Sequence, residues 1–409
     1  MTTHNYPTPG PAPGAAPAAP PGGAGAGLGK IAKSPATSID AGCSPMAASG
    51  IDPETGEISG LRDPADCRVE RFILQSAVRN LMPGSRTAKC LRYCQKQRSS
   101  VDVWRSTQYK RAFYGGLQTC ASVWACPVCS AKISERRRTE LKTLIAAHQA
   151  AGGVVLLVTR TVPHDRQDDL ADLLDRIAQA ERSYTGHRDY KTLMQSFGLV
   201  GKVRALEVTH GEANGWHPHV HELVFLASGV SIPDLEEDLS RIWKGAAVRA
   251  GLRLPSRAHG LSVQDGSQAA KYASKWGLES ELTQWHRKRG KVESRTPFDL
   301  LRAVVAEHDG YAGYLFREYA DAFHGRRQLV FSRGLKARYQ VADLDDGELA
   351  ARQDADAVLL GRLTLDQWRV VCKTEQRGAL LEIAANFTWE SVLLLVESLE
   401  RALERMSSA

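Results

Sequence analysis

The sequence predicts an α+β fold built on an antiparallel sheet, with a metal-binding element before the sheet and a mainly helical region after it. Three observations carry this expectation. Short β-branched runs alternate with helix-patterned segments between residues 152 and 278, five of the eight cysteines fall between residues 90 and 129, and helical spacing dominates beyond about residue 280.

Residues 1–60 open with "PTPGPAPGAAPAAPPGGAGAGLGK", a Pro/Ala/Gly tract with too little apolar surface to offset the entropy of ordering it, and are expected to be a disordered tail. Residues 61–140 form a basic, cysteine-bearing unit ending in "SAKISERRRTELKTLIAAHQA", where Ile133, Leu141, Leu144 and Ile145 keep helical spacing. The next unit, 141–285, begins with a β-rich run after paired glycines, "GGVVLLVTRTVP" (152–163). "DDLADLLDRIAQAERSY" (168–184) is helical, with Asp168 or Asp169 at its positive amino-terminal end. "LVGKVRALEVTH" (199–210) alternates as a strand, and a short Gly/Asn-containing turn leads into "NGWHPHVHELVF" (214–225), making a β-hairpin. A helix (232–251), a short strand (259–265) and a further helix (267–278) follow. The order β-α-β-β-α-β-α describes a ferredoxin-like split βαβ sheet with an added helix. Residues 286–409 are mainly helical: Thr364 and Gln367 stand in capping-box spacing, and "TWESVLLLVESLERALERM" (388–406) is a long amphipathic segment. For this tail, packing or self-association is favoured over a helix-turn-helix.

Charge narrows the class of partner. The 53 Lys and Arg against 46 Asp and Glu give a net +7, and between Arg86 and Arg138 twelve basic residues face only Asp102 and Glu135, an excess of +10. That density suits a polyanion. No apolar run approaches the roughly 20 residues of a membrane span, and no secretory signal opens the chain, so a cytosolic protein is expected. In a reducing compartment clustered cysteines are metal ligands rather than disulfides. "CASVWACPVC" supplies Cys120, Cys126 and Cys129, and the C-x2-C turn aims two thiolates at one ion, which points to structural Zn²⁺. Cys90 is the expected fourth ligand and Cys94 its competitor.

The histidine stretch carries the chemistry. In a strand His217, His219 and His221 share one face, and with the hairpin turn centred near Ala213, Glu207 falls opposite His219, at about 5.5 Å between Cβ atoms. This is a His-His-Glu group for Mn²⁺ or Mg²⁺, with His217 as a possible additional ligand. Downstream, "AAKYASKWG" puts Tyr272 and Lys275 on one helical face, where a phenol beside a metal and an ammonium becomes an effective nucleophile.

Together "LLVTRTVPH", "HPHVH" with the pair His219 and His221, and "KYASKW" resemble the three motifs of plasmid rolling-circle replication initiators, members of the His-hydrophobic-His endonuclease superfamily. "CASVWACPVCSAKI" and "GRRQLVFSRGLK" (325–336) resemble segments of their actinobacterial branch. The resemblance implies a ferredoxin-like nuclease core and a strand-specific nick at a plasmid's double-strand origin. Tyr272 would form a 5′-phosphotyrosine on DNA that is single-stranded at the nick, His219, His221 and Glu207 would hold the catalytic ion, and Lys275 would steady the phosphate or phenolate. Host helicase and polymerase would follow. One position departs from the pattern: where such initiators often carry a glutamate four residues before the tyrosine, this chain has Gln268. The rival readings are a single-tyrosine transposase or mobilisation relaxase with the same site, and a noncatalytic zinc-containing DNA-binding regulator.

Overall fold

The structure is a computed structural model, and it describes residues 64–106, 108–227, 229–275, 294–352 and 354–408. The chain divides into Met1–Gly60 and Leu61–Ala409, and all described residues belong to the second unit. The expected amino-terminal tail and the end of the tyrosine helix beyond Lys275 lie outside the described residues.

In chain order the elements begin with α1 (Pro64–Leu81), α2 (Arg86–Lys89), β1 (Ser100–Ser106), β2 (Arg111–Gly115) and α3 (Pro127–Ala150). Next come β3 (Val154–Thr161), α4 (Leu170–Gly186), α5 (Arg188–Ser196), β4 (Leu199–Gly211), β5 (Gly215–Leu226), α6 (Ile232–Arg249), β6 (Leu261–Gln264) and α7 (Gly266–Lys275). The carboxy-terminal part adds β7 (Ser294–Arg295), α8 (Pro297–Glu307), α9 (Gly310–Ala322), β8 (Leu329–Phe331), α10 (Leu335–Arg338), α11 (Asp346–Ala351), β9 (Ala357–Thr364), α12 (Leu365–Lys373), α13 (Arg377–Asn386) and α14 (Trp389–Ser408). This is a mixed α/β chain with antiparallel sheets and a largely helical carboxy-terminal part.

The main sheet runs β6-β3-β5-β4, with β7 and β8 both pairing the outer edge of β4. Its strands form because β-branched residues alternate between two buried faces. Leu156, Val158, Val220 and Val224 pack with Leu173, Ile177, Leu239 and Trp243 of α4 and α6. Val155, Leu157, Val203, Ala205, Leu223 and Phe225 pack with Leu141 and Leu144 of α3 and with Ala269 and Ala273 of α7. Asp169 caps α4, its side chain accepting from the Asp172 N–H.

The hairpin that carries the histidines depends on one glycine. Glu212, Ala213 and Asn214 turn between paired Gly211 and Gly215, and Gly215 has φ +71°, the left-handed conformation that ends a three-residue hairpin loop. A Cβ there would stand 3.0 Å from Arg166 Cα and 3.1 Å from the Asp165 carbonyl oxygen. This turn sets the β4–β5 register, and with it which residues face one another.

Behind the same strands lies a buried ion network. Arg160 donates through Nε and a terminal nitrogen to both oxygens of Glu181 (2.7 and 2.9 Å) and through its other nitrogen to Glu222 (2.8 Å). Lys202 closes on Glu222 at 3.0 Å. Arg160 is fully enclosed, over the Tyr184 ring, so Arg160→Met leaves Glu181 stranded. We expect it to cost about 3–5 kcal/mol in urea denaturation, and a loss below about 1 kcal/mol would show that the network contributes little to stability.

The second sheet, β2-β1-β9, joins distant parts of the sequence, since β9 pairs β1 from Ser100↔Thr364 to Ser106↔Ala357. Thr364 caps α12 with Gln367 in the reciprocal capping box that the spacing predicts. α13 buries Arg377, Leu380, Leu381 and Ala384 against α1 and β2, so it is a packing helix rather than a free reading helix. The segments 61–140 and 286–409 therefore share a core. No helix among the described residues is long and apolar enough to cross a membrane.

Candidate active site

The register places Glu207 opposite His219, Thr209 opposite His217 and Ala205 opposite His221. β3 runs along the other side of β5, bringing Thr159 opposite His221. By alternation these side chains share the face whose inner residues pack against α3 and α7. Glu207 Oε2 lies 3.4 Å from His219 Nε2 and 3.6 Å from His221 Nε2, and the three residues form a group that could hold a metal ion. Each imidazole is steered from behind: His221 Nδ1 is 2.8 Å from Thr159 Oγ1, and His219 Nδ1 is 3.3 Å from the His217 carbonyl oxygen. Such contacts leave the Nε2 atoms aimed at the carboxylate.

Electrostatics suit a cation. Burial holds His221 down to about 4, against the pull of Glu207, so it is neutral and able to ligate at neutral pH. Burial alone would raise Glu207, but the hydrogen bond from His219 and the fields of His221 and His219, with the bond from Tyr272, hold it below the usual carboxylate range. A carboxylate with two imidazoles is a mixed N/O donor set that fits a divalent ion.

The third histidine goes elsewhere. His217 shares the face but turns to His164, with 3.4 Å between their Nδ1 atoms, and is not part of the group with Glu207. Burial, with His219 and His164 beside it, holds its pKa down to about 4. Residue reasoning passed over His164 and Thr159 as site neighbours. Their signal was available in "LLVTRTVPH", which ends on that histidine.

Tyr272 arrives from α7. Its hydroxyl donates to Glu207 Oε1 at 2.6 Å, and its ring lies 4.8 Å from that of His221. Tyrosine and ligand group, 65 residues apart from Glu207 to Tyr272, thus share one site. Lys275 is the last residue of α7, and its side chain lies outside the described residues. Asp265 starts α7, its Oδ1 accepting from the Ser267 and Gln268 N–H groups, so it serves the helix end.

The four cysteines close a second candidate centre. Cys90, Cys120, Cys126 and Cys129 are all buried and together could hold a metal ion. Sulfur separations of 3.5 Å (Cys90 to Cys129), 3.7 Å (Cys120 to Cys129) and 3.9 Å (Cys90 to Cys126) match the edge of about 3.8 Å that a tetrahedron with Zn–S bonds near 2.3 Å requires. Cys126 caps α3, so its sulfur sits at a positive helix end. The Cys120 N–H points at Cys90 Sγ (3.4 Å) and Gln75 Nε2 at Cys126 Sγ (3.1 Å), the polar support that thiolates need. Burial, reinforced by the neighbouring Cys120 and Cys129 sulfurs, pushes the Cys126 thiol well up, a cost that a bound cation removes. Cys94, the competitor, is half-buried outside the group, bridged by its backbone to Leu117.

The family model of a replication protein matches residues 115–230, from the end of β2 through the cysteine turn, β3 and the β4–β5 hairpin. Over these residues the chain is similar to a replication-protein domain. A curated relative from Streptomyces lividans, called Protein rep, is 27% identical over 336 residues, spanning 63% of this chain and 73% of its own. A second, from Streptomyces cyanogenus and called neomycin resistance protein, is 33% identical over 135 residues, 27% of this chain and 31% of that protein. No solved structure matches. The Rep match includes Glu207, His219 and His221 and three of the four cysteines, and it stops before Tyr272.

Proposed function

We propose that this protein is a replication (Rep) protein that initiates rolling-circle replication by nicking one strand of a plasmid's double-strand origin. The single observation that supports this best is the Tyr272 hydroxyl held 2.6 Å from Glu207, the carboxylate that also faces His219 and His221. The strand order β6-β3-β5-β4 supports a ferredoxin-like nuclease core of the His-hydrophobic-His kind over residues 141–285, with the zinc-binding element 61–140 and the region 286–409 built around it.

In this reading Tyr272 Oη attacks the scissile phosphorus of DNA that is single-stranded at the nick. An O–P bond to the 5′ side forms as the P–O3′ bond breaks; the phenol proton passes to Glu207, its hydrogen-bond acceptor, and the leaving 3′-oxygen takes a proton from water. Mn²⁺ or Mg²⁺, when held by His219, His221 and Glu207, supplies Lewis-acid stabilisation of charge on the phosphate. Thr159 keeps His221 oriented, and Lys275, one helical turn beyond Tyr272, steadies the phosphate. The freed 3′-OH primes host polymerase behind a host helicase, and the tyrosyl bond keeps the energy for resealing. Gln268 cannot activate water as a base, so termination proceeds by strand transfer to a 3′-OH or through another group. The buried cysteine group, as structural Zn²⁺, holds the hairpin from beneath: Cys90, Cys120, Cys126 and Cys129 share a core with Val208 and Trp216.

Incubating the protein with Mn²⁺ and a supercoiled plasmid bearing its origin should yield nicked circles with protein attached at the 5′ end; no nick and no adduct would overturn the proposal. Activity surviving EDTA would remove the metal from it. His219→Ala should slow nicking by about 10- to 100-fold or more, partly relieved by excess Mn²⁺, and an unchanged rate would take His219 out of the site.

A further inference from the structure

Between Leu81 and Val101 the chain has five Lys or Arg and no Asp or Glu. Arg92 is used internally: it is buried, donating to the Cys372 carbonyl, Ser76 and Glu375. Arg86, Lys89, Lys96 and Arg98 remain exposed. On β9, Arg362 joins them, because Arg98 and Arg362 share one carboxylate, the buried Asp102, at 3.2 and 3.1 Å. Lys96 and Arg98 thus stand on one ribbon and Arg362 on the strand beside it, with Arg86 and Lys89 on α2 where that ribbon begins.

The ribbon is not a loose basic loop. The Leu91 N–H donates to the Gln118 carbonyl, the Gln118 N–H to Tyr93 and the Gln95 N–H to Gly116, while the Gln95 side chain donates to Leu117. Cys90 and Cys120 of the cysteine group bracket the paired segments. Gln97 turns the tip with φ +67°, and Gln95, Lys96, Gln97 and Arg98 are all exposed there. Cations on a prearranged backbone lose less entropy on binding than cations on a mobile one.

We propose that this ribbon is a second DNA-binding surface, distinct from the nick site, which grips the phosphate backbone of duplex DNA. The inference rests on the reading of the chain as a protein that works on origin DNA. Duplex is favoured because Lys and Arg with flanking glutamines are the residue types that contact phosphates and groove edges. A single-strand platform would instead display several stacking rings, and this ribbon exposes one, Tyr93. The replication-protein match begins at residue 115 and leaves the basic residues Arg86, Lys89, Lys96 and Arg98 outside it.

The test measures binding of the full chain, in EDTA, to a mixed-sequence duplex of about 30 base pairs and to one of its strands, over a range of salt. For the double variant Lys96→Ala with Arg98→Ala, duplex affinity should fall about tenfold and the log–log salt slope should become shallower by about two. Single-strand affinity should change less than about twofold. Zinc content equal to wild type shows that the variant is folded. Unchanged duplex affinity and slope would overturn the proposal, as would equal losses on duplex and single strand. Because no cleavage is read, a protein that binds but never nicks would sink the nuclease reading alone, and a nickase whose variant binds duplex normally would sink this surface alone.

Discussion

Tyr272→Phe should abolish the protein–DNA adduct and lower nicking by on the order of 10³-fold or more, while DNA affinity changes by less than about threefold. The substitution removes one oxygen and keeps the ring that lies beside His221. Glu207 loses the 2.6 Å bond from the phenol but keeps His219 and His221 beside it, so the ligand group should survive and the variant should still bind Mn²⁺. A labelled origin oligonucleotide resolved under denaturing conditions reads the adduct directly. An adduct that persists would move the nucleophile elsewhere, and a lost adduct accompanied by lost Mn²⁺ binding would assign the tyrosine a structural part.

Cys126→Ser should have the other large effect, on folding. A structural zinc site contributes on the order of 10 kcal/mol to stability, and Cys126 is both a member of the four-sulfur group and the amino-terminal cap of α3. Zinc should fall well below one per chain, with a drop in melting temperature on the order of 10 °C or loss of soluble protein. Cys94→Ser is the control: half-buried and outside the group, it should keep its zinc and cost less than about 1 kcal/mol. Full zinc content in the Cys126 variant, or none in the wild type, would overturn the assignment.

Much of the site was legible because its geometry is local. Alternation put the histidines on one face, and the turn centred near Ala213 put Glu207 opposite His219, as the register has it. The cysteine turn was legible for the same reason, since C-x2-C spacing brings two sulfurs together within one helix start. What spacing cannot report is which of several like residues turns inward. His217 alternates with its neighbours as His219 and His221 do, yet a partner from just beyond β3, His164, draws it away.

By itself, then, the sequence determined the order of strands and helices from residue 154 to Lys275 apart from the short helix α5, the pairing of Glu207 with His219 and a cysteine group that could hold a metal ion, because each depends on periodicity or on a turn of a few residues. Tertiary structure alone decided that Cys90 and not Cys94 joins the group, that Tyr272 reaches Glu207, that Arg160 is neutralised by Glu181 and Glu222, and that β9 pairs with β1 across some 250 residues. The physical reason is common to all four. Each is set by how separate elements pack against one another, where burial of apolar faces fixes distances that no local pattern encodes.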